Sequence, residues 1–493
     1  PIQAYVKDAT EEEIVWLRKE FIYKNTSNAH LLKRVYNNRW LKTQKPEQWK
    51  MEVERLKGEV NKSLVFEDEN GVYIRPGSMN YLPDELCEIE KNLIEYPTPK
   101  KIPWAKPLPF KLHPYQEESV GKLIYWRHAN VELATGSGKS AILLTLCRET
   151  GFRTAIVAPS KSIFLELLEK FETHLGKGNV GTFGAGKKKI GKRFTICIAD
   201  SLVNIKPGTE EWEFFNNLDM IAIDESHTLG SETLEDMCHG VFSNVPYRIF
   251  VSGTQTRGDG GVKLLQSIIG KTVHSLSTKD AVDGGYICPH DFVIVELESS
   301  SPSFQSQDSI KMKRAHLLNN RNIAEFTAKL ANSAATLRGE QTLVLVDELS
   351  QISMLLPLLK VPYAYAHSDS NRARLFSMGL EPVDSAESVE RFNKNEVKVL
   401  IGTSCVSCGT NIFPTHQTIN WVGGASAIRC KQGAVGRSVR LLSQSQWAAQ
   451  CIPKSKCTIW DFDVNDVYVL QRHLEDRIAC YEDSGSSIRY IKL

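Results

Sequence analysis

At 493 residues, with 42% apolar and 24% charged residues and a formal net charge of +2, the chain is too long for one core and reads as a globular protein of two or three domains. The near-neutral balance excludes a global basic field, so a polyanion would have to be held in a local groove. No run reaches the ~18 apolar residues of a membrane span, the start PIQAYVKDATEEE has no apolar signal core, and the eleven unevenly spaced cysteines suit reduced thiols in the cytoplasm rather than a disulfide framework.

Residues 1–108 read as a small α+β accessory domain. Thr10 with Glu13 makes a capping box ahead of IVWLRKEFIY, which predicts a helix there. DENG (68–71) predicts a hairpin turn between SLVFE and VYIRP. Tyr36, Trp40 and Trp49 could stack on bases, but rings of this size more often fill a core, and that is the expectation. The proline-rich YPTPKKIPWAKPLP (96–109) predicts a stiff connector.

From Leu112 onward, short β-type runs alternate with helical stretches. The runs are 153–159, 194–200, 220–226 and 248–254, then 342–348, 397–403, 417–423 and 456–462. Continuous apolar runs suit strands buried on both faces, hence parallel sheets covered by helices. SSSPSFQSQDS (299–309) is the best linker or exposed loop. Two α/β lobes are therefore expected, over 109–285 and 286–493. KKKIGKR (187–193) could form a basic edge, though such runs are usually solvated loops.

ATGSGKS (134–140) follows the short run VEL and precedes the helical AILLTLCRET. Small residues there let backbone N–H groups wrap a phosphate at a helix N-terminus. Thr135, Gly136, Ser137 and Gly138 would form that wrap, Lys139 would reach the β- and γ-phosphates of ATP, and Ser140 would ligate Mg²⁺. Leu133 stands where the usual pattern has glycine. In IAIDESH (221–227), Asp224 would hold Mg²⁺ and Glu225 would orient or deprotonate the attacking water. His227 would couple the nucleotide site to the next lobe.

ATGSGKS, DESH, the SGT at 252–254 and the arginines at 437 and 440 resemble motifs I, II, III and VI of superfamily-two helicases. LHPYQEES (112–119) resembles that superfamily's adenine-recognition segment, APSKS (158–162) its motif Ia, and IGTSCVSCGTN (401–411) its motif V. The resemblance covers roughly 110–493 and implies two tandem RecA-like lobes. It makes Gln116 the reader of the adenine edge, Ser252 and Thr254 coupling residues, and Arg437 and Arg440 the donors facing the γ-phosphate. Being three apart, the two arginines would share one helical face. Gln432 stands one residue farther from Gly436 than the family pattern has it. Ser160, Lys161, Thr403 and Ser404 occupy positions that meet the sugar–phosphate backbone. Cys405 and Cys408 form a C-x-x-C, but no second ligand pair among Cys430, Cys451 and Cys457 completes a zinc site.

LNNRN (318–322), HSDSNR (367–372) and the ending IWDFDV…LEDRIACYED resemble phage-encoded branch-migrating DNA helicases of the UvsW type. The resemblance implies an ATP- and Mg²⁺-dependent motor on branched DNA, in the host cytoplasm if phage-encoded; the sequence leaves the oligomeric state open, with a monomer as the default expectation. An RNA helicase, a duplex translocase and a nucleic-acid clamp with weak ATPase are the alternatives.

Overall fold

The structure is a computed structural model that describes residues 3–493 except 8, 25, 83–95, 254–261, 300–302, 307, 404–405, 407–411, 425–433, 465–466 and 483. It divides into two compact units, Pro1–Leu133 with Lys139–Ser275, and Ala134–Gly138 with Leu276–Leu493.

The first unit opens with the accessory segment. Strands β1 (Ala4–Tyr5), β4 (Val65–Asp68) and β5 (Gly71–Ile74) form an antiparallel sheet in the order β1-β5-β4, and β2 (Ile22–Lys24) pairs antiparallel with β3 (Asn61–Ser63). Helix α1 (Glu11–Glu20) starts at the expected capping box, with Thr10 N donating to Glu13 Oε2 at 2.7 Å and Glu13 N to Thr10 Oγ1 at 3.3 Å. The DENG turn joins β4 to β5, held by Asn70 N donating to Asp68 Oδ1 at 2.8 Å. Helices α2 (Thr26–Tyr36), α3 (Arg39–Gln44) and α4 (Pro46–Val60) lie between β2 and β3. Leu17, Phe21, Tyr23, Leu64 and Ile74 share one core with Leu264, Leu265 and Ile268 of helix Val262–Ile269, so this segment is packed onto the α/β body. The aromatic expectation fails here: Trp40 is 62% and Tyr36 43% exposed. Trp49 is half-buried, and so small a segment offers too little depth to bury all three rings.

The 96–109 stretch lies along the body rather than standing free. Lys100 N and Ile102 N donate to Thr150 O and Arg148 O at 2.8 and 2.9 Å, and Ala105 N donates to His174 O at 2.9 Å.

The first unit's main sheet runs in the order β13-β6-β12-β11-β7-β10-β8-β9. Its strands are β6 (His128–Leu133), β7 (Thr154–Ala158), β8 (Val180–Gly184), β9 (Lys187–Lys189), β10 (Phe194–Ile198), β11 (Met220–Asp224), β12 (Tyr247–Ser252) and β13 (Lys271–Leu276). From β6 through β8 the ladder is parallel, and β9 closes the edge antiparallel to β8. Ile221 and Ile223 bury one face and Ala222 the other, which is why these strands read as continuous apolar runs. The first three lysines of the basic run, Lys187–Lys189, form this exposed edge strand, a placement that blunts edge-to-edge pairing.

The second unit holds a seven-stranded sheet in the order β16-β17-β15-β18-β19-β14-β20. Its strands are β14 (His290–Leu297), β15 (Thr342–Val346), β16 (Tyr363–Ala366), β17 (Val399–Gly402), β18 (Gln417–Trp421), β19 (Cys457–Val464) and β20 (Ile488–Lys492), all paired in parallel. Leu343 and Leu345 enter one buried cluster, Val344 and Val346 the other, so helices cover both faces. The serine-rich stretch follows β14 and lies inside this unit, so it is a loop of the second sheet and not a link between sheets. The fold is α/β, two parallel sheets with small antiparallel sheets at the N-terminus. Among the described residues no helix is long and apolar enough to cross a membrane.

Candidate functional site

In an open parallel sheet, side chains that follow the carboxyl ends of the strands converge at one edge. The ends of β6, β7, β11 and β12 bring the loop before Lys139, Ser160, Asp224 and Ser252 to that edge. Helix α6 (Lys139–Thr150) begins directly after the loop, in which Gly136 and Gly138 take φ of +89° and +79°. A side chain disfavours both conformations, so the glycines let the backbone amides turn inward.

Lys139 is buried, and its Nζ stands 3.0 Å from Glu225 Oε1. Asp224 ends β11, also buried, and its Oδ1 accepts from Glu225 N at 3.0 Å. Burial first, and the Glu225 charge next, push the Asp224 carboxyl up to about 7; Lys139 opposes them and Glu166 adds to them. Glu225 takes a left-handed backbone, φ +46° and ψ 44°. That conformation is uncommon for a residue with a Cβ and clusters at functional sites.

Two contributors were not foreseen. Helix α7 (Lys161–Phe171) brings Glu166 near Asp224 and Lys170 to Ser140, whose Oγ accepts from Lys170 Nζ at 3.1 Å. Glu166 and Lys170 pair one turn apart on that helix. Their only signal in the sequence is this i, i+4 spacing, which any solvated helix face can show.

The other expected residues fall as follows. Gln116 is buried, and its Oε1 accepts from His113 N at 2.9 Å, capping helix α5 (Pro114–Trp126). Ser160 caps α7, accepting from Ile163 N at 3.4 Å, and Lys161 is exposed. Ser252 is buried at the end of β12. Thr403 follows β17, its N donating to Ala366 O at 3.2 Å. Thr254, Ser404, Cys405, Cys408, Cys430 and Gln432 lie outside the described residues, as does the side chain of His227.

Arg437 and Arg440 stand in the second unit. Arg437 is 4% exposed on the short helix Gly436–Ser438; Arg440 lies beyond that helix, its guanidinium 5.7 Å from the Phe413 ring centroid. The helix stops too soon for the two to share a face. The Arg440 carbonyl accepts from Lys454 Nζ at 2.9 Å, which ties the segment to the residues before β19.

The donor set suits a Mg²⁺–nucleoside triphosphate. Asp224 and Ser140 offer oxygens for the cation, and a carboxyl that burial holds near neutrality gains most from a cation beside it. The loop amides and Lys139 offer donors for phosphate oxygens.

Residues 109–257 match the family described as Type III restriction enzyme, res subunit. A DNA 3'-5' translocase XPB2 of Sulfurisphaera tokodaii is 22% identical over 391 residues, 73% of this chain and 84% of that protein. Mss116p bound to ssRNA and AMP-PNP shares the fold with a TM-score of 0.54 at 16% identity, over 77% of this chain and 74% of that one. T4 UvsW aligns over 98% of this chain and 97% of its own at 15% identity, with a TM-score of 0.40.

Proposed function

We propose that this chain, a superfamily-two helicase-like ATPase, is a DNA motor acting on forks and junctions. The observation that carries the reading is the Lys139–Glu225–Asp224 cluster, its lysine and aspartate buried, beside a glycine-turned loop. Without nucleotide, Lys139 holds the Glu225 carboxylate. With phosphates in the loop, Lys139 turns to them and Glu225 is released to orient the water. Glu225 takes the proton of that water as its oxygen bonds to the γ-phosphorus and the β–γ bridging bond breaks, releasing ADP and phosphate. Mg²⁺ bound at Ser140 and Asp224 would shield the phosphate charges. Arg437 and Arg440 are assigned to the charge that develops on the transferred group.

Ser160, Lys161, Thr403 and Ser404 are assigned to the sugar–phosphate backbone, contacts that carry little sequence information and suit a motor that steps along any sequence. Replacing Arg437 with Ala should lower turnover by roughly 10³-fold or more while nucleotide affinity stays within a few-fold. Loss of nucleotide binding with normal turnover of what still binds would contradict the assignment.

The deciding experiment is ATP hydrolysis and strand separation on single-stranded DNA, duplex, fork, four-way junction and RNA. Stimulation and unwinding should be strongest on the branched DNAs. Acceptance of RNA with rejection of every DNA would overturn the reading in favour of an RNA helicase. Stimulation by duplex without strand separation would leave a translocase.

A further inference from the structure

We infer that the α2–α4 face of the N-terminal segment is a stacking surface for single-stranded nucleic acid, with Trp40 as its open ring and Lys42 and Lys45 as its phosphate contacts. The inference rests on the nucleic-acid reading above and extends it to residues outside the α/β lobes.

Residues 21–46 contain six Lys or Arg and no Asp or Glu. Within that window Trp40 is 62% and Tyr36 43% exposed. Tyr36 meets Trp49 edge-on with centroids 5.8 Å apart, and Trp49 is fixed by Nε1 donating to Val35 O at 3.0 Å. Ammonium groups lie over all three rings: Lys42 at 5.1 Å from Trp49, Lys45 at 6.0 Å from Trp40, and Lys57 at 5.8 Å from Tyr36. On α4, Glu47 and Glu52 pair with Lys50 and Arg55 of the same helix, at 3.1 and 2.6 Å. The face therefore combines open π-surface with positive charge.

A protein-binding patch uses exposed aromatics too, but its core is depleted in lysine. Here every ring carries a lysine. Bases stack on aromatic faces while lysines neutralise the adjoining phosphates, and only an unpaired strand can present its bases this way. The N-terminal segment that carries this face is anchored to the first α/β body through residues that follow β5. Arg75 pairs with Glu235 at 2.8 Å, and a Cβ on Gly77 would stand 2.3 Å from Ser267 O. A strand held on this face is thus held to the unit that carries Lys139 and Glu225.

The test uses the full chain without nucleotide and follows the anisotropy of a labelled oligo-dT strand, with a blunt duplex beside it. Trp40→Ala should weaken strand binding by about 5- to 100-fold, and Trp40→Phe should restore most of it. The double variant Lys42→Gln, Lys45→Gln should flatten the slope of log affinity against log salt by about 1.4. Basal ATP hydrolysis without nucleic acid should stay unchanged in all three. Wild-type affinity and slope in Trp40→Ala and the double lysine variant would hand the face to a protein partner and overturn the inference, while leaving the motor reading intact. An equal loss on blunt duplex would overturn it as well. If the unaltered chain binds no nucleic acid at all, the motor reading falls with it.

Discussion

Glu225 carries two burdens, a left-handed backbone and a carboxylate among charged neighbours. Converting it to Gln keeps its size and removes its basicity. Phosphate release should fall by about 10²- to 10⁴-fold, with nucleotide affinity within a few-fold; turnover within a factor of two would assign the proton elsewhere. The backbone term separates cleanly by comparing Glu225→Gly with Glu225→Ala, since both lose the carboxylate and only glycine loses the Cβ. The Gly variant should be the more stable by about 1 kcal/mol in urea unfolding of the nucleotide-free protein. Lys139 was singled out because strand, glycine loop and helix follow in the order that suits phosphate, and Asp224 with Glu225 because an apolar strand ends in adjacent carboxylates; the structure brings the three side chains together. Glu166 and Lys170 were not, because a polar helix face reads alike whether it meets water or a site. The capping role of Gln116 is equally silent, as its partner is the backbone N–H of His113.

Between elements, backbone fit does what side-chain pattern cannot announce. Gly77 is the second residue of the short helical segment Pro76–Tyr81, and the space where its Cβ would go is filled by the Ser267 and Gln266 carbonyls, 2.3 and 2.7 Å away. Gly77→Ala should therefore cost about 1–3 kcal/mol, read as a lower urea midpoint; an unchanged midpoint would mean that helix Val262–Ile269 yields freely. In the second unit, Asp461 of β19 accepts from Arg477 Nε and Nη2 at 2.8 and 2.9 Å and from Tyr481 Oη at 2.6 Å, all buried. Arg477 Nη1 also donates to Gly424 O at 3.0 Å, next to the segment that leads to Arg437. Arg477→Met strands that carboxylate and should cost about 3–5 kcal/mol, whereas the exposed pair Arg321–Glu325 should contribute less than about 1 kcal/mol. Four strands on each side of a polar stretch were readable as apolar runs. Strand β14 was not among those runs, yet the boundary at 285/286 puts it in the second lobe, where it pairs with β19; the partner itself was not legible, because no local signal encodes so distant a pairing. Tyr36 and Trp40 were misjudged for a related reason: exposure depends on how thick a layer lies above a ring, which composition does not report.

Across the whole molecule, buried imidazoles set the acid limit of stability. His128 and His290 are depressed to about 4 and His239 to about 2, each first by burial; Arg248 adds to His128, and Arg75 then Arg248 to His239. The unfolded chain takes up these protons near pH 6.5, the ordinary value. A depressed folded value means stability that is complete above 6.5 and declines as pH falls toward 4, by as much as about 1.4 kcal/mol per pH unit for each histidine. Asp224 runs the other way. Its folded value is raised from 3.8 to about 7, so its contribution is complete below 3.8 and is lost as pH rises through 7. Three histidines outweigh one aspartate across the shared window, and the nucleotide-free protein should lose stability steadily from pH 6.5 down to about 4. Asp224→Asn removes the most strongly raised of the described aspartates and should steepen that loss, while raising stability at pH 8, where the buried carboxylate is ionised without a cation. His290→Gln should flatten the loss, because one proton fewer separates the folded and unfolded chains. Urea midpoints at pH 8, 6.5 and 5 for the three proteins decide it: parallel profiles would mean that none of these groups titrates differently on folding, and that the burial seen at Asp224 and His290 is relieved by water in solution.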